Sequence, residues 1–193
     1  MATIVNSALV GLEHLVYAKI IKDDATGTTY DTVKEIAPVI DAKISPKVNS
    51  NMLYANNMAV ANMSIMSEIE VEFQVSDLPI EVYADLLGHT YDNTKGVVES
   101  SANDIAPYVA IGFKAKKENG KYRYVWLLKG RFEEVSEEFK TMSDKVDFAT
   151  PSIKGTFFAR LSDKKWKYVA DEDAGYTGGD NWFSAVAVPT TAV

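Results

Sequence analysis

A chain of 193 residues is long enough for one domain with its own core, burying roughly 70% of the surface that the unfolded chain exposes. The 47% hydrophobic content fits a globular protein, and no stretch approaches the ~20 uninterrupted apolar residues that cross a bilayer, so a soluble protein with no membrane partner is expected. The formal charge of −7 argues against a surface that grips phosphate backbones, and the absence of cysteine removes disulfides, thiolate metal sites and thiol nucleophiles together.

Residues 1–19 (MATIVNSALVGLEHLVYAK) show no basic region ahead of an apolar core and no small-residue cleavage site, so no export signal is expected. Residues 9–22 are rich in β-branched and aromatic side chains, which predicts a strand from about Leu15, ended by Asp23-Asp24-Ala25-Thr26-Gly27. An amphipathic helix is the competing reading. Further on, Ile40, Ala42 and Ile44 alternate with Asp41, Lys43 and Ser45, and Pro38 and Pro46 suit strand termini or an edge. Residues 49–66 (NSNMLYANNMAVANMSIM) are rich in Asn and Met without a consistent period and read as a loop or a loose hairpin. Methionines there could fill core gaps, but so many asparagines are hard to satisfy when buried, which favours an interface loop.

The pattern sharpens at residues 67–76 (SEIEVEFQVS). Ile69, Val71, Phe73 and Val75 share one face and Glu68, Glu70, Glu72 and Gln74 the other, the mark of an antiparallel strand with one wet side. The carboxylates in register form a negative stripe, readable as a solvated outer surface, an acidic lining or a cation site. Residues 77–88 predict a short helix: Asp77 caps it, Pro79 fits its first turn and Gly88 takes the left-handed stop position. Ile80, Tyr83, Ala84 and Leu87 form the apolar stripe that should lie across the open face of a sheet. Asp92, Asn93 and Gly96 then turn the chain.

Residues 104–140 predict a long β-hairpin. Val109, Ile111, Phe113 and Ala115 alternate with Tyr108, Ala110, Gly112 and Lys114, and Asn119-Gly120 supplies the positive φ that a tight connection needs. On the return, Tyr122, Tyr124, Trp126 and Leu128 face opposite to Arg123, Val125 and Leu127, so the strand is apolar on both sides and must be covered twice. The second cover must come from another sheet, a helix or another subunit. Gly130 marks a bulge or bend, and a hairpin of this length tends to project. Val146, Phe148, Ile153, Phe157 and Phe158 mark further strands with Pro151 as a break, and residues 162–165 turn into a strand at 166–170. Residues 171–181 (DEDAGYTGGDN) read as a mobile linker to an apolar strand at 182–188, which could pair with its own sheet or with a neighbouring subunit. The expected fold is therefore mainly β, an antiparallel β-sandwich with a long projecting hairpin and one short flanking α-helix at about 77–88. Residues 1–170 form the domain, and 171–193 a linker and C-terminal arm.

Catalytic chemistry finds little material. His14 and His89 stand far apart in unlike contexts, and no metal-ligand spacing or phosphate-cradling glycine loop occurs. The acid pairs Glu133-Glu134, Glu137-Glu138 and Asp171-Glu172-Asp173 read as solvated charge, with a calcium site within 171–180 as the lesser alternative. No enzyme activity, cofactor, catalytic residue or resident metal is expected.

Several blocks in order carry a family likeness: Tyr54-Ala55-Asn56-Asn57, the Glu-alternating strand, Leu86-Leu87-Gly88, Lys95-Gly96-Val97, Ala106-Pro107-Tyr108-Val109-Ala110-Ile111-Gly112-Phe113 and Trp126-Leu127-Leu128-Lys129-Gly130-Arg131-Phe132. Over residues 10–169 the chain resembles the major tail proteins, or tail tube proteins, of long-tailed bacteriophages and related phage-tail-like bacteriocins. The resemblance implies homohexameric rings stacked into a hollow tube in the virion tail, assembled in the host cytoplasm. The tail tip, tape measure and tail terminator proteins become partners, and DNA passes through without tight binding. On that footing Glu68, Glu70 and Glu72 are expected to face the lumen. Tyr54, Asn56, Asn57, Met58 and Met63, the hairpin tip at Lys117, Glu118, Asn119 and Lys121, and Trp182, Phe183 and Val186 are expected to contact other subunits. The alternative is a β-sandwich binding module for glycan or protein ligands, with Trp166, Tyr168 and Trp182 as a sugar platform.

Overall fold

The computed structural model describes residues 7–55, 58–136, 141 and 150–186. The first strand, β1 (Leu9–Asp24), begins earlier than the sequence suggests and turns through Ala25 and Thr26 into β2 (Gly27–Tyr30). Leu15, Val16, Tyr17 and Ala18 are all buried because alternate residues enter two different apolar clusters, which a strand between two covers satisfies and a one-sided helix does not. After β3 (Lys34–Glu35) come two long strands, β4 (Val39–Ala55) and β5 (Met58–Val75). Helix α1 (Ile80–Leu87) follows, with Pro79 at its N-cap position and Gly88 closing it at φ 80°. Asp77 accepts from the Leu78 N–H, one step ahead of the cap expected of it. Ala84, Leu86 and Leu87 are buried while Ile80 stays exposed, so the apolar stripe is turned relative to the expected one. A two-stranded hairpin, β6 (Thr90–Asp92) and β7 (Val97–Glu99), leads on to β8 (Val109–Lys117), β9 (Tyr122–Phe132), β10 (Ser152–Phe157) and β11 (Lys167–Asp171).

The main sheet is antiparallel throughout, in the order β2-β1-β8-β9-β10-β5-β4, with β3 beside β1 and β11 beside β9. It wraps around one interior cluster that includes Leu15, Tyr17, Ile69, Val71, Phe73, Ile111, Phe113, Leu127, Ile153 and Phe157, with Leu86 and Leu87 of α1 against it. The expected sandwich is this arrangement, one curled sheet facing itself and the helix. Asp85 pins the helix to the sheet by accepting from Tyr17 Oη at 2.6 Å, Lys19 Nζ at 2.5 Å and Lys34 Nζ at 2.9 Å.

The hairpin of β8 and β9 turns at Gly120 with φ 82°, as Asn-Gly predicts. It does not project. Its two apolar faces draw it to the middle of the sheet, with β1 along β8 and with β11 and β10 sharing the far edge of β9. The projecting hairpin is the one made by β4 and β5. A bulge in β9, where Val109 pairs with Gly130 and Ile111 with Leu127, falls where Gly130 marked it. Gly130 is needed there because a Cβ would sit 2.2 Å from the Phe157 ring.

Among the described residues, the second cover over Tyr124, Trp126 and Leu128 comes from the C-terminal segment of the same chain. Trp182 and Val186 of the same chain close over them, with Phe183 packed alongside and Trp126 Nε1 donating to the Trp182 carbonyl at 3.1 Å. Residues 182–186 are turns rather than the expected strand, since the four-residue spacing of Trp182 and Val186 sets both on the same cluster only if the chain coils. Residues 171–181 are not a loose linker either: they include the end of β11 and two 3₁₀ turns, Glu172–Ala174 and Gly179–Asn181. The expected strand at Val146 and Phe148 and the acids Glu137 and Glu138 lie outside the described residues.

Candidate assembly interface

Past Ile69, β5 loses its β10 neighbour and continues paired with β4 alone, as a two-stranded ribbon from Lys47 to Ala55 and from Met58 to Glu68. Two register shifts shape it. Lys47 pairs with Glu68 but Val48 with Met66, which leaves Ser67 extra; Leu53 pairs with Ala61 but Tyr54 with Ala59, which leaves Val60 extra. Each extra residue swaps the faces of β5, and this is why residues 49–66 show no steady period in the sequence. Val48, Ser50, Met52 and Tyr54 share one face, where Ser50 Oγ donates to Asn62 Oδ1 at 2.6 Å and Tyr54 Oη reaches Met52 Sδ at 3.4 Å. Leu53 with Met58, Met63 and Ile65 lie on the other.

The ribbon is greasy and bare on both faces. Met58 is 70% exposed, Met63 67%, Tyr54 64% and Ile65 58%, while Val48, Met52, Leu53 and Val60 are also exposed. Contiguous apolar surface of this extent on a protruding element makes the ribbon the candidate interaction surface of the domain. Of the residues expected to make contacts here, Tyr54, Met58 and Met63 stand on the ribbon, and Asn56 and Asn57 lie outside the described residues. Val48, Leu53 and Ile65 belong to the same surface but escape sequence reasoning, because their faces follow from the bulges.

The Glu68, Glu70 and Glu72 stripe faces outward, as alternation predicts, with Ile69, Val71 and Phe73 in the core behind it. It is not a plain negative stripe. Lys47 Nζ bridges Glu68 at 2.9 Å and Glu70 at 2.5 Å, and Lys154 Nζ reaches Glu72 at 3.3 Å. The register sets Lys43, Glu72 and Lys154 in one row across β4, β5 and β10, with Glu133 at its end beside Lys154. These residues line a shallow polar groove of about 230 Å³. A hydrogen bond from Ser152, with the neighbouring Lys154 and Lys43, holds the Glu72 carboxyl below its ordinary range. The lysines were missed because strand order, not sequence order, brings them to the acids.

The tip of the β8–β9 hairpin is engaged within its own chain. Lys117 is 3% exposed and pairs with Asp171 at 2.5 Å and Asp173 at 2.6 Å, so it is not at the surface as expected. Burial would lower the Lys117 ammonium, but those two carboxylates raise it above the ordinary value. Asp173 in turn is lowered to about 2 by the bond from Lys117, with Asn119 and Lys121 adding to it. Arg123 Nε donates to Asp171 and Tyr124 Oη to Glu172. Of the acids suggested as a calcium site, Asp171, Glu172 and Asp173 are thus committed to cations and donors of the hairpin, and among the described residues no group of three or more His, Asp or Glu is arranged to hold a metal. Glu118, Asn119 and Lys121 remain exposed.

Trp182 and Val186 are each 6% exposed and spend their apolar surface on their own sheet, as does Phe183 in part, which removes them as a free arm. Tyr168 is also buried, so Trp166, Tyr168 and Trp182 present no shared platform for a sugar. His14 packs against Phe183 in a strand irregularity, and His89 lies buried between Asp104 at 2.7 Å and Glu134 at 3.3 Å. The two histidines stand in separate settings, His14 beside Glu35 and Phe183 and His89 beside Asp104, Glu134 and Tyr83.

No curated protein matches the chain. The family model for "Phage tail tube protein" matches residues 46–187, which is well over half of it. The match takes in the ribbon, the charged face except Lys43, the central hairpin and the C-terminal cover. A self-sufficient β-domain that holds out a bare apolar ribbon, from a family defined by tail tubes, is a tube subunit: the chain belongs to the phage tail tube protein family and is a structural component of phage tails.

Proposed function

We propose that copies of this chain close into hexameric rings that stack into the hollow tail tube, giving the conduit through which DNA leaves the particle. The observation that carries this reading is the ribbon. Among the described residues its strands run beyond the covering elements of their own domain, expose Leu53, Met58, Met63 and Ile65 on one face and Met52 and Tyr54 on the other, and leave backbone edges unpaired. Each ribbon lies against neighbouring copies, and Asn56 and Asn57 are proposed to take part in the same contact. Glu118, Asn119 and Lys121 form a second, polar contact, and the face of Glu68, Glu70 and Glu72 lines the lumen. Assembly takes place in the host cytoplasm, where tail tip, tape measure and tail terminator proteins begin, measure and end the tube.

Negative-stain microscopy of the purified protein at rising concentration tests this. Six-fold rings or tubes are expected from the wild type and none from the combined Leu53→Ser, Met58→Ser, Met63→Ser and Ile65→Ser variant. Tubes from that variant as abundant as the wild type's would remove the ribbon from the interface, and a wild type that stays monomeric even with tail tip complexes would remove the ring reading.

A further inference from the structure

The outward face of β4, β5 and β10 carries lysines and glutamates in nearly matched numbers, and this is unusual for a wall that is only meant to be negative. Lys43, Lys47 and Lys154 stand against Glu68, Glu70, Glu72 and Glu133, and the pairs run across strands rather than along them. We infer that this face is a masked phosphate-binding surface: its carboxylates hold Lys47 and Lys154 and flank Lys43, so that a polyanion must compete with them for these cations, and their loss alone would turn it into a patch that holds DNA. The inference deepens the tube reading and takes its biological setting from it.

The physical argument is one of range and competition. Capturing phosphate requires cations that are free to replace the counterions around DNA. A Lys47 ammonium within 3 Å of two carboxylates must break those bonds first. Beyond a Debye length of about 8–10 Å, close opposite charges act as small dipoles whose field fades quickly, so the face neither draws DNA in nor strongly repels it. A purely acidic wall would repel a phosphate column along its whole length, whereas a paired wall lets it pass at little electrostatic cost. The lysines thus have a purpose in the presence of the glutamates: they reduce the repulsion without creating adhesion.

The test uses the whole chain in its unassembled form and a fluorescent duplex of about 20 base pairs in about 20 mM salt, where phosphate contacts are strongest. Wild-type protein is expected to leave the anisotropy unchanged. The variant Glu68→Gln, Glu70→Gln, Glu72→Gln, Glu133→Gln adds no base, yet it is expected to bind at least ~10-fold more tightly, with affinity falling as salt rises. Adding Lys43→Gln, Lys47→Gln and Lys154→Gln to it should abolish binding again. All four glutamates lie at least partly in solvent, and an unchanged thermal melt certifies each fold. Wild type binding as tightly as the variant, a folded variant that stays silent, or binding that survives loss of the lysines would each overturn the inference. None of these outcomes depends on rings, so failure of the tube reading shows separately in the microscope.

Discussion

Replacing Trp182 with Ala removes the lid from the outer apolar cluster and reports on whether the domain closes on itself. The indole is 6% exposed, with ring centroids 5.9 Å from Tyr124 and 5.3 Å from Tyr176. A buried Trp covers about 150–250 Å², of which truncation to Ala gives up roughly 150 Å², or about 4 kcal/mol at ~25 cal/mol per Å². Core Trp→Ala changes cost about 3–5 kcal/mol, and the lower end suits a terminal segment that can settle into the gap. For a domain of this size about 3 kcal/mol corresponds to a fall in Tm of roughly 6–12 °C, read by circular dichroism. The hydrogen bond from Trp126 goes to the Trp182 backbone carbonyl and survives the change, so the loss reports packing. Trp182→Phe should cost much less, because Trp182 Nε1 is buried with no hydrogen-bond partner among the described residues and its removal relieves an orphaned donor. A Tm within ~1 °C of wild type for Trp182→Ala would mean that residues 171–186 do not cover the sheet in solution, and the self-sufficient monomer would be refuted.

Acid titration should find the helix clamp. Burial alone would raise Asp85, but Lys19, Tyr17 and Lys34 hold it at about 2 against an ordinary 3.8, and Asp23 is held at about 2 by Lys129 and the Leu161 N–H in spite of its own burial. Folded values below the unfolded ones mean that this stabilisation is complete above pH ~4 and is lost as pH falls toward ~2. Urea midpoints measured across that window should drop, and Asp85→Asn should flatten part of the fall; an equally steep fall in the variant would exclude Asp85 as a source. Gly130→Ala drives a Cβ into the Phe157 ring and should cost at least about 2 kcal/mol by urea denaturation, whereas an unchanged midpoint would show that the ring moves freely. The four-serine ribbon variant should melt no more than roughly 4–8 °C below wild type while losing tubes, because each replaced side chain is more than half exposed and such changes stay within about 0.5 kcal/mol each, about 2 kcal/mol together. A large loss of stability would show that the ribbon belongs to the core.

Legibility followed locality. Strand β5 from Glu68 to Val75 was readable because one face is wet and no bulge interrupts it, and Gly120 and Gly88 named their turns because each takes positive φ. Residues 49–66 were opaque because Ser67 and Val60 each shift the phase of the strand. The sequence shows that β9 is apolar on both faces, but not what covers it: the answer lies in contacts such as Lys117 with Asp171 and Trp126 with Trp182, each more than fifty residues apart. The Glu stripe was visible and its masking was not, since Lys154 becomes a neighbour of Glu72 only when β10 pairs with β5.

Hydrogen exchange on the same protein as monomer and as assembled tube puts the central idea to trial. Under the proposed assembly the domain is complete in a single copy and the ribbon is what further copies cover. Amides of residues 47–66 should exchange quickly in the monomer and gain protection on assembly, while those of residues 109–132, already paired on both sides, should be slow in both forms. Ribbon amides equally fast in tube and monomer, or a central hairpin that becomes protected only in the tube, would contradict it.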